Sequence, residues 1–193
     1  DEWVRVPSDI ETVPGTVIHL VPNGEYTVGD LLTALLMSSA NDAAVVLARY
    51  HSGTVTDFVA AMNTRAEELG LQQTSFANPM GLDDDAQVMS PRDIAWLTMF
   101  LQRQPDIRQR MSGRGAKIQN RKGEALYLTH THALLHADTA VIAGKTGTTI
   151  GAGQCLLSIV EEGKHQYIVI LLHAADRYAD MRTIFSVLTS PML

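Results

Sequence analysis

The hydrophobic period changes once along this 193-residue chain, and that switch restricts the fold more than any single residue does. Up to about Leu101 the apolar side chains recur at helical spacing. From Val141 onward they come in short runs broken by turn signals. Thr27 with Asp30 three residues later predicts a capped helix start, followed by Leu31, Leu32, Leu35 and Leu36. Asp42 to Tyr50 reads as a second helix, apolar almost all round and therefore expected to be buried. A third runs from about Asp57 to Leu69, with Phe58, Met62 and Ala66 on one stripe and Gly70 as its stop. Ser90-Pro91 starts a fourth, with Pro91 in the first helical position. Val141-Ile142-Ala143, Leu156 to Val160 and Tyr167 to Leu172 then read as strands, and Glu161-Glu162-Gly163-Lys164 offers a hairpin turn between the last two. A helix from about Ala179 to Leu188 closes the chain. Residues 1–25, punctuated by Pro7, Pro14-Gly15 and Pro22-Asn23-Gly24, are expected to be irregular or briefly extended. Residues 112–123 are glycine-rich and basic and are expected to be exposed. Helices first and an antiparallel sheet later predict one α+β domain over residues 1–193, with the helices on one side of the sheet. Without alternating β-α units, a doubly wound fold is excluded.

The composition suits one buried core, with 46% hydrophobic residues. A net charge of −6 argues against nucleic acid as a partner, because phosphate binding needs a basic face. No apolar stretch is long enough to span a bilayer. Cys155 is the single cysteine, so no internal disulfide can form, and its apolar surroundings predict a buried, inert thiol.

Two triplets stand out. Ser39-Ala40-Asn41 falls at the break between two apolar helices, where polar side chains can face a cleft. Lys145-Thr146-Gly147 follows a strand-like run and precedes Thr148-Thr149, so an edge strand would present an ammonium, a hydroxyl and a bare backbone together. Each alone has a bland alternative: serine and asparagine are ordinary helix caps, and Lys-Thr-Gly can be a solvated turn. A nucleotide-binding P-loop is a rival for Gly144-Lys145-Thr146. It needs glycine where Thr139 stands, and a helix where Ile150-Gly151-Ala152-Gly153 stands. His130, Thr131, His132 and His136 invite a metal site, but no cysteine or well-placed carboxylate completes it, and no metal or cofactor is expected. Asp83-Asp84-Asp85 lacks the spaced oxygen ligands of a calcium loop and reads as a solvated turn.

Taken together with their flanks, these segments resemble the serine-type D-alanyl-D-alanine carboxypeptidases, low-molecular-mass penicillin-binding proteins of the β-lactamase/transpeptidase-like superfamily. The match runs through Leu35 to Ala44, Leu69-Gly70-Leu71, Asn78-Pro79, Gly81-Leu82-Asp83, Ser90-Pro91-Arg92-Asp93-Ile94-Ala95 and Gly144 to Thr149 with Ala152-Gly153. The family typically has asparagines where His130 and His132 stand, which places both in a structural stretch. It often carries Asp-Gly where Ile142-Ala143 stands, so local packing is expected to differ. Its first motif, Ser-x-x-Lys, is absent: none of the ten serines has lysine three residues on. The family spacing would put that motif a few dozen residues before Asp1. The chain is therefore expected to be incomplete at its N-terminus, with an exposed sheet edge that favours self-association.

In the complete enzyme the resemblance implies acylation of an upstream serine by peptidoglycan stem peptides ending in D-Ala-D-Ala, and by β-lactams, in the periplasm or another extracytoplasmic compartment. Ser39 and Lys145 would pass a proton to the leaving amine, and Asn41 would hold the neighbouring lysine and the substrate amide. Thr146 would bind the terminal carboxylate beside Gly147, and the N–H of Thr148 would be half of an oxyanion hole. Arg177 and Arg92 are candidates for gripping the carboxylate, since a guanidinium does so bidentately. The chain alone is expected to be inactive. A catalytically dead domain that binds peptidoglycan peptides or a partner remains the alternative.

Overall fold

The computed structural model describes residues 2–188. Strand β1 (Trp3–Arg5) pairs antiparallel with β2 (Glu25–Thr27), which leads straight into helix α1 (Val28–Ser38). The Thr27 hydroxyl accepts the Asp30 N–H at 3.0 Å, so the capping signal acts as expected. Helix α2 (Asn41–Ser52) follows after a two-residue break, then α3 (Val55–Glu68), whose chain leaves through Gly70 at φ +72°. Strands β3 (Thr74–Ser75) and β4 (Val88–Met89) form a short ribbon that precedes α4 (Pro91–Leu101). Ser90 Oγ caps α4 by accepting the Asp93 N–H at 3.2 Å. Asp93, itself buried, turns back to accept Gln73 N at 2.7 Å and Thr74 Oγ1 at 2.8 Å, which ties the helix start to the ribbon.

Residues 112–123 are mostly exposed, as expected, but they include a strand and bury Ile118 and Asn120. Helix α5 (Pro105–Ser112) runs into β5 (Gly115–Gln119), which pairs antiparallel with β6 (Ala125–Thr129). Ile118 and Leu128 point inward to join Val4, Tyr26, Leu31, Ala34 and Val46 in the core of the helical half. Burial of one side chain per strand is enough to fix the hairpin, although the sequence shows little alternation there.

The main sheet is β7 (Val141–Thr149), β8 (Gly153–Glu162) and β9 (His165–Ala174), in that spatial order and all antiparallel. The expected turn between the last two is present, with Gly163 at φ +61°. Helix α6 (Arg177–Leu188) completes the described chain. The sheet is covered on both faces rather than on one. Leu156, Val160 and Met181 pack on the α6 side, while Ala143, Leu157 and Ile159 pack with Met111, Leu36 and Ile94 on the other. The reason is strand alternation, since β8 is buried through both of its side-chain sets. β7 is one edge of this sheet and carries the Lys-Thr-Gly triplet. Among the described residues β9 bonds only to β8, so its outer edge is open.

Candidate active site

The two triplets meet. Ser39 ends α1 in the left-handed conformation (φ 55°, ψ 40°). A non-glycine residue pays about 1 kcal/mol for that conformation. The turn it makes lets α2 begin at Asn41 and aims the Ser39 hydroxyl across to β7. There Lys145 Nζ donates to Ser39 Oγ, joining residues 106 positions apart, and also donates to Thr146 O at 2.8 Å. Burial pushes the Lys145 ammonium down from its usual range to about 8. The lysine is thus still mostly charged at neutral pH and close to the point of giving its proton up.

The pair sits in a cleft of about 680 Å3 between the helical half and β7. Asn41 lines it too, with Nδ2 donating to Pro14 O at 2.8 Å and its backbone N–H to Thr16 O at 2.7 Å. The loop that supplies those carbonyls is held by buried Asp42, which accepts the N–H groups of Ile18 at 3.2 Å and Leu20 at 3.0 Å. Gly15 is obligatory here: it has φ +83°, and a Cβ would stand 2.5 Å from Asn41 Nδ2.

On the sheet side, Thr146, Gly147 and Thr148 lie along the cleft edge of β7. Arg177 reaches over from the start of α6. Its Nη1 donates to Gly147 O at 3.0 Å and to Cys155 O at 2.9 Å, Nε donates to Gln154 Oε1 at 3.1 Å, and Nη2 donates to Thr148 Oγ1. All of these acceptors are neutral, so the guanidinium charge is positioned without being cancelled. With Lys145 it gives the cleft two cations, and among the described residues no aspartate or glutamate lines it. A positive cleft in a chain of net charge −6 is a local arrangement that suits an anion.

Of the expected site residues, the structure brings together Ser39, Asn41, Lys145, Thr146, Gly147, Thr148 and Arg177. Arg92 does not join them: it lies exposed on the first turn of α4 and does not line the cleft. Its place in the motif reflects the capped helix start, where Asp93 does the bonding. Asp83 is more than a solvated turn. It bonds to Thr149 Oγ1 and accepts Gly151 N at 2.9 Å, clasping the β7–β8 turn and holding its own carboxyl below the usual range. Cys155 is half-buried rather than buried, opposite Gly147 on β8. His130 and His132 lie in the loop after β6, the second capping a short 3-10 turn (Ala133–Leu135), and both are buried. Thr131 and Tyr178 line the cleft unannounced. Thr131 Oγ1 lies 2.6 Å from Thr146 Oγ1, and Tyr178 OH accepts Ala133 N at 3.0 Å. Neither had a sequence signal beyond its neighbour's. Gly144-Lys145-Thr146 runs inside β7, and the next element is a strand, so the helix N-terminus of a P-loop is lacking. A second cavity, of about 710 Å3 and lined by Phe58, Met62, Leu71 and Phe76, is apolar and belongs to the packing of the helical half.

Comparison with solved structures defines the class first. The fold is that of the DD-peptidases. A variant of the Streptomyces DD-transpeptidase superposes with a TM-score of 0.88 at 25% identity, covering 96% of this chain and 78% of that one. The D-alanyl-D-alanine carboxypeptidase of Mycobacterium tuberculosis gives 0.87 at 22% identity, covering 100% of this chain and 76% of the other. The D-alanyl-D-alanine carboxypeptidase family model matches residues 6–176, and the chain belongs to that family. Among curated relatives, D-alanyl-D-alanine carboxypeptidase DacF of Bacillus subtilis is 31% identical over 172 residues, 89% of this chain and 44% of its own length. A D-alanyl-D-alanine endopeptidase of Escherichia coli is 30% identical over 183 residues, 92% of this chain and 58% of that one. The chain thus spans about half the length of these curated relatives. Among the described residues no helix is long and apolar enough to cross a membrane.

Proposed function

We propose that these residues form two walls of a serine-type D-Ala-D-Ala carboxypeptidase cleft that trims peptidoglycan stem peptides outside the cytoplasm. The observation that carries this reading is the Lys145–Ser39 hydrogen bond inside a cleft whose charged side chains are both cationic. The peptide's terminal carboxylate is held at the Thr146 hydroxyl with Arg177 behind it, because a carboxylate there meets a donor and an uncancelled guanidinium. Asn41 holds the substrate amide, and the N–H of Thr148 faces the developing oxyanion. Ser39 and Lys145 relay the proton to the departing D-alanine. A lysine held near 8 can both donate and recover a proton at neutral pH. Acyl-enzyme chemistry needs an attacking serine with its own base. No serine here is followed three positions on by lysine, so on this reading residues 1–193 alone bind ligand without turnover.

Two expected results test this. Fluorescent penicillin leaves the isolated chain unlabelled, and a stoichiometric covalent label would overturn the inactivity. In calorimetric titrations, an N-acetylated peptide ending in D-Ala-D-Ala binds about tenfold or more tightly than its C-terminal amide. That preference shrinks as pH rises through about 8 and Lys145 loses its charge. Equal affinity for acid and amide would remove the carboxylate role. The second reading is a binding domain without catalysis in the complete protein. Turnover by the natural full-length protein separates the two.

A further inference from the structure

Residues 130–133 tie both walls of the cleft together. His130 N donates to Arg114 O at 3.0 Å, ahead of β5, and Thr131 N donates to Met37 O at 3.0 Å, two residues before Ser39. Thr131 Oγ1 meets Thr146 Oγ1 at 2.6 Å, one residue after Lys145. His132 Nε2 meets Ser158 Oγ of β8 at 2.8 Å, and Ala133 N donates to Tyr178 OH of α6 at 3.0 Å. The His132 ring also lies flush against Gly144, where a Cβ could not fit. This strap joins the end of α1 to β7, so it sets how far Ser39 stands from Lys145.

The strap depends on two buried imidazoles: a hydrogen bond requires His130 to be neutral, and burial with an unpartnered nitrogen favours a neutral His132. His130 Nδ1 accepts the N–H of His132 at 3.0 Å, so the network assigns its ring proton to Nε2, which is buried without a hydrogen-bond partner. Protonating Nδ1 would set two donors against each other. His132 Nδ1 has no partner in its buried position, so an imidazolium there would bury an unsatisfied N–H. Backbone groups at Met111 and Gly144 favour a charged His130 in part but are outweighed by burial, and the charged and titratable side chains acting on the pair add no compensation. They are Lys145 on β7, Arg177 on α6, and His136 just beyond the strap, whose Nε2 bonds to His130 O at 2.8 Å. All are basic. Ser158 on β8 and Tyr178 on α6, the other side chains against the rings, are uncharged at neutral pH.

We propose that His130 and His132 are positioning residues of the cleft: as a neutral pair they hold the strap that fixes Ser39 against Lys145, and protonation releases it. Burial first, then the neighbouring Lys145 for His130 and His130 for His132, lowers both rings from 6.5 to about 4. Between those two values the released state binds more protons than the held state. Acidification through that window therefore favours release, and returning to neutral pH restores the strap.

The inference rests on the reading of the cleft given above, but its test needs no ligand. In the full chain, NMR follows both rings and the exchange protection of the Thr131 amide as pH falls from about 7 to about 5. The expected result is a loss of Thr131 protection by about tenfold or more, while the β8–β9 ladder amides keep theirs. A His130→Asn/His132→Asn variant, whose side chains are neutral at every pH, is expected to hold Thr131 protection flat over the same range. The proposal is overturned by unchanged Thr131 protection in the wild-type chain, by its loss in one step with the β8–β9 amides, or by the same loss in the folded double variant. If the double variant does not fold, the wild-type measurement still decides. Rings that titrate near 6.5 without affecting Thr131 would also refute it. Failure of peptide binding alone would count against the function, not against the strap.

Discussion

Replacing Gly144 with alanine is expected to destabilise the protein by about 3 kcal/mol or more, a large effect for one methyl group. The added Cβ would stand 2.5 Å from Leu157 O and closer still to His132 Cδ2. Neither neighbour can yield cheaply. The Leu157 carbonyl belongs to the β8 backbone, where Gly144 pairs opposite Ser158, and the ring is buried and bonded to Ser158. Relief requires either opening the β7–β8 ladder or expelling His132, and both move Lys145, the next residue on the strand. For a chain of this size that cost corresponds to a melting temperature lower by roughly 6–12 °C. Thermal unfolding checks it. A shift of under about 2 °C would mean that β7 and His132 are not packed as described.

The second large effect is expected at Asp42. Its carboxylate is almost fully buried and accepts the backbone N–H groups of Ile18 and Leu20 from the loop beneath the cleft. Asp42→Ala leaves both donors without a partner, at about 1–3 kcal/mol each, so a loss near 3 kcal/mol is expected. Asp42→Asn keeps the volume but turns one acceptor into a donor facing N–H groups, so it should recover only part of the loss. The damage should also reach the site. The same loop supplies Pro14 O and Thr16 O to Asn41, and its release frees the Asn41 side chain. Chemical denaturation of the three proteins measures the order. Wild-type stability in Asp42→Ala would show that water replaces the carboxylate at no cost.

The parts of this fold legible in the sequence were those written in local chemistry. Thr27 and Ser90 announce helix starts because a cap and its N–H lie three residues apart, and Gly163 announces a hairpin. The Ser-Ala-Asn and Lys-Thr-Gly triplets point to the cleft because their residue types and flanks match a known pattern. What stayed hidden depends on distant partners. Helix α5 is mostly polar and buries only Met111, so it has no stripe to read. β7 extends to Thr149 although its apolar run stops at Ala143, because its far half lines the cleft at the sheet edge rather than the core. His132 is buried by Ser158, 26 residues away, and Asp83 is engaged by Thr149, 66 residues away. No local pattern records such pairings. Arg92 misled for the converse reason: it sits in a motif whose purpose is the cap and the Asp93 bonds beside it.

The contact between Ser39 and Lys145 has a kinetic meaning as well. Each wall is built from sequence neighbours, α1 with α2 on one side and the β7–β8 hairpin on the other, so each can form early and by itself. Bringing them together closes a loop of 106 positions, and that entropy is lost before any contact across the cleft is gained. The cleft is therefore expected to be among the last features the chain acquires on folding. On the function proposed above, a copy with either half still loose has no place to seat a peptide, so the capacity to bind one would double as a proof that folding is complete.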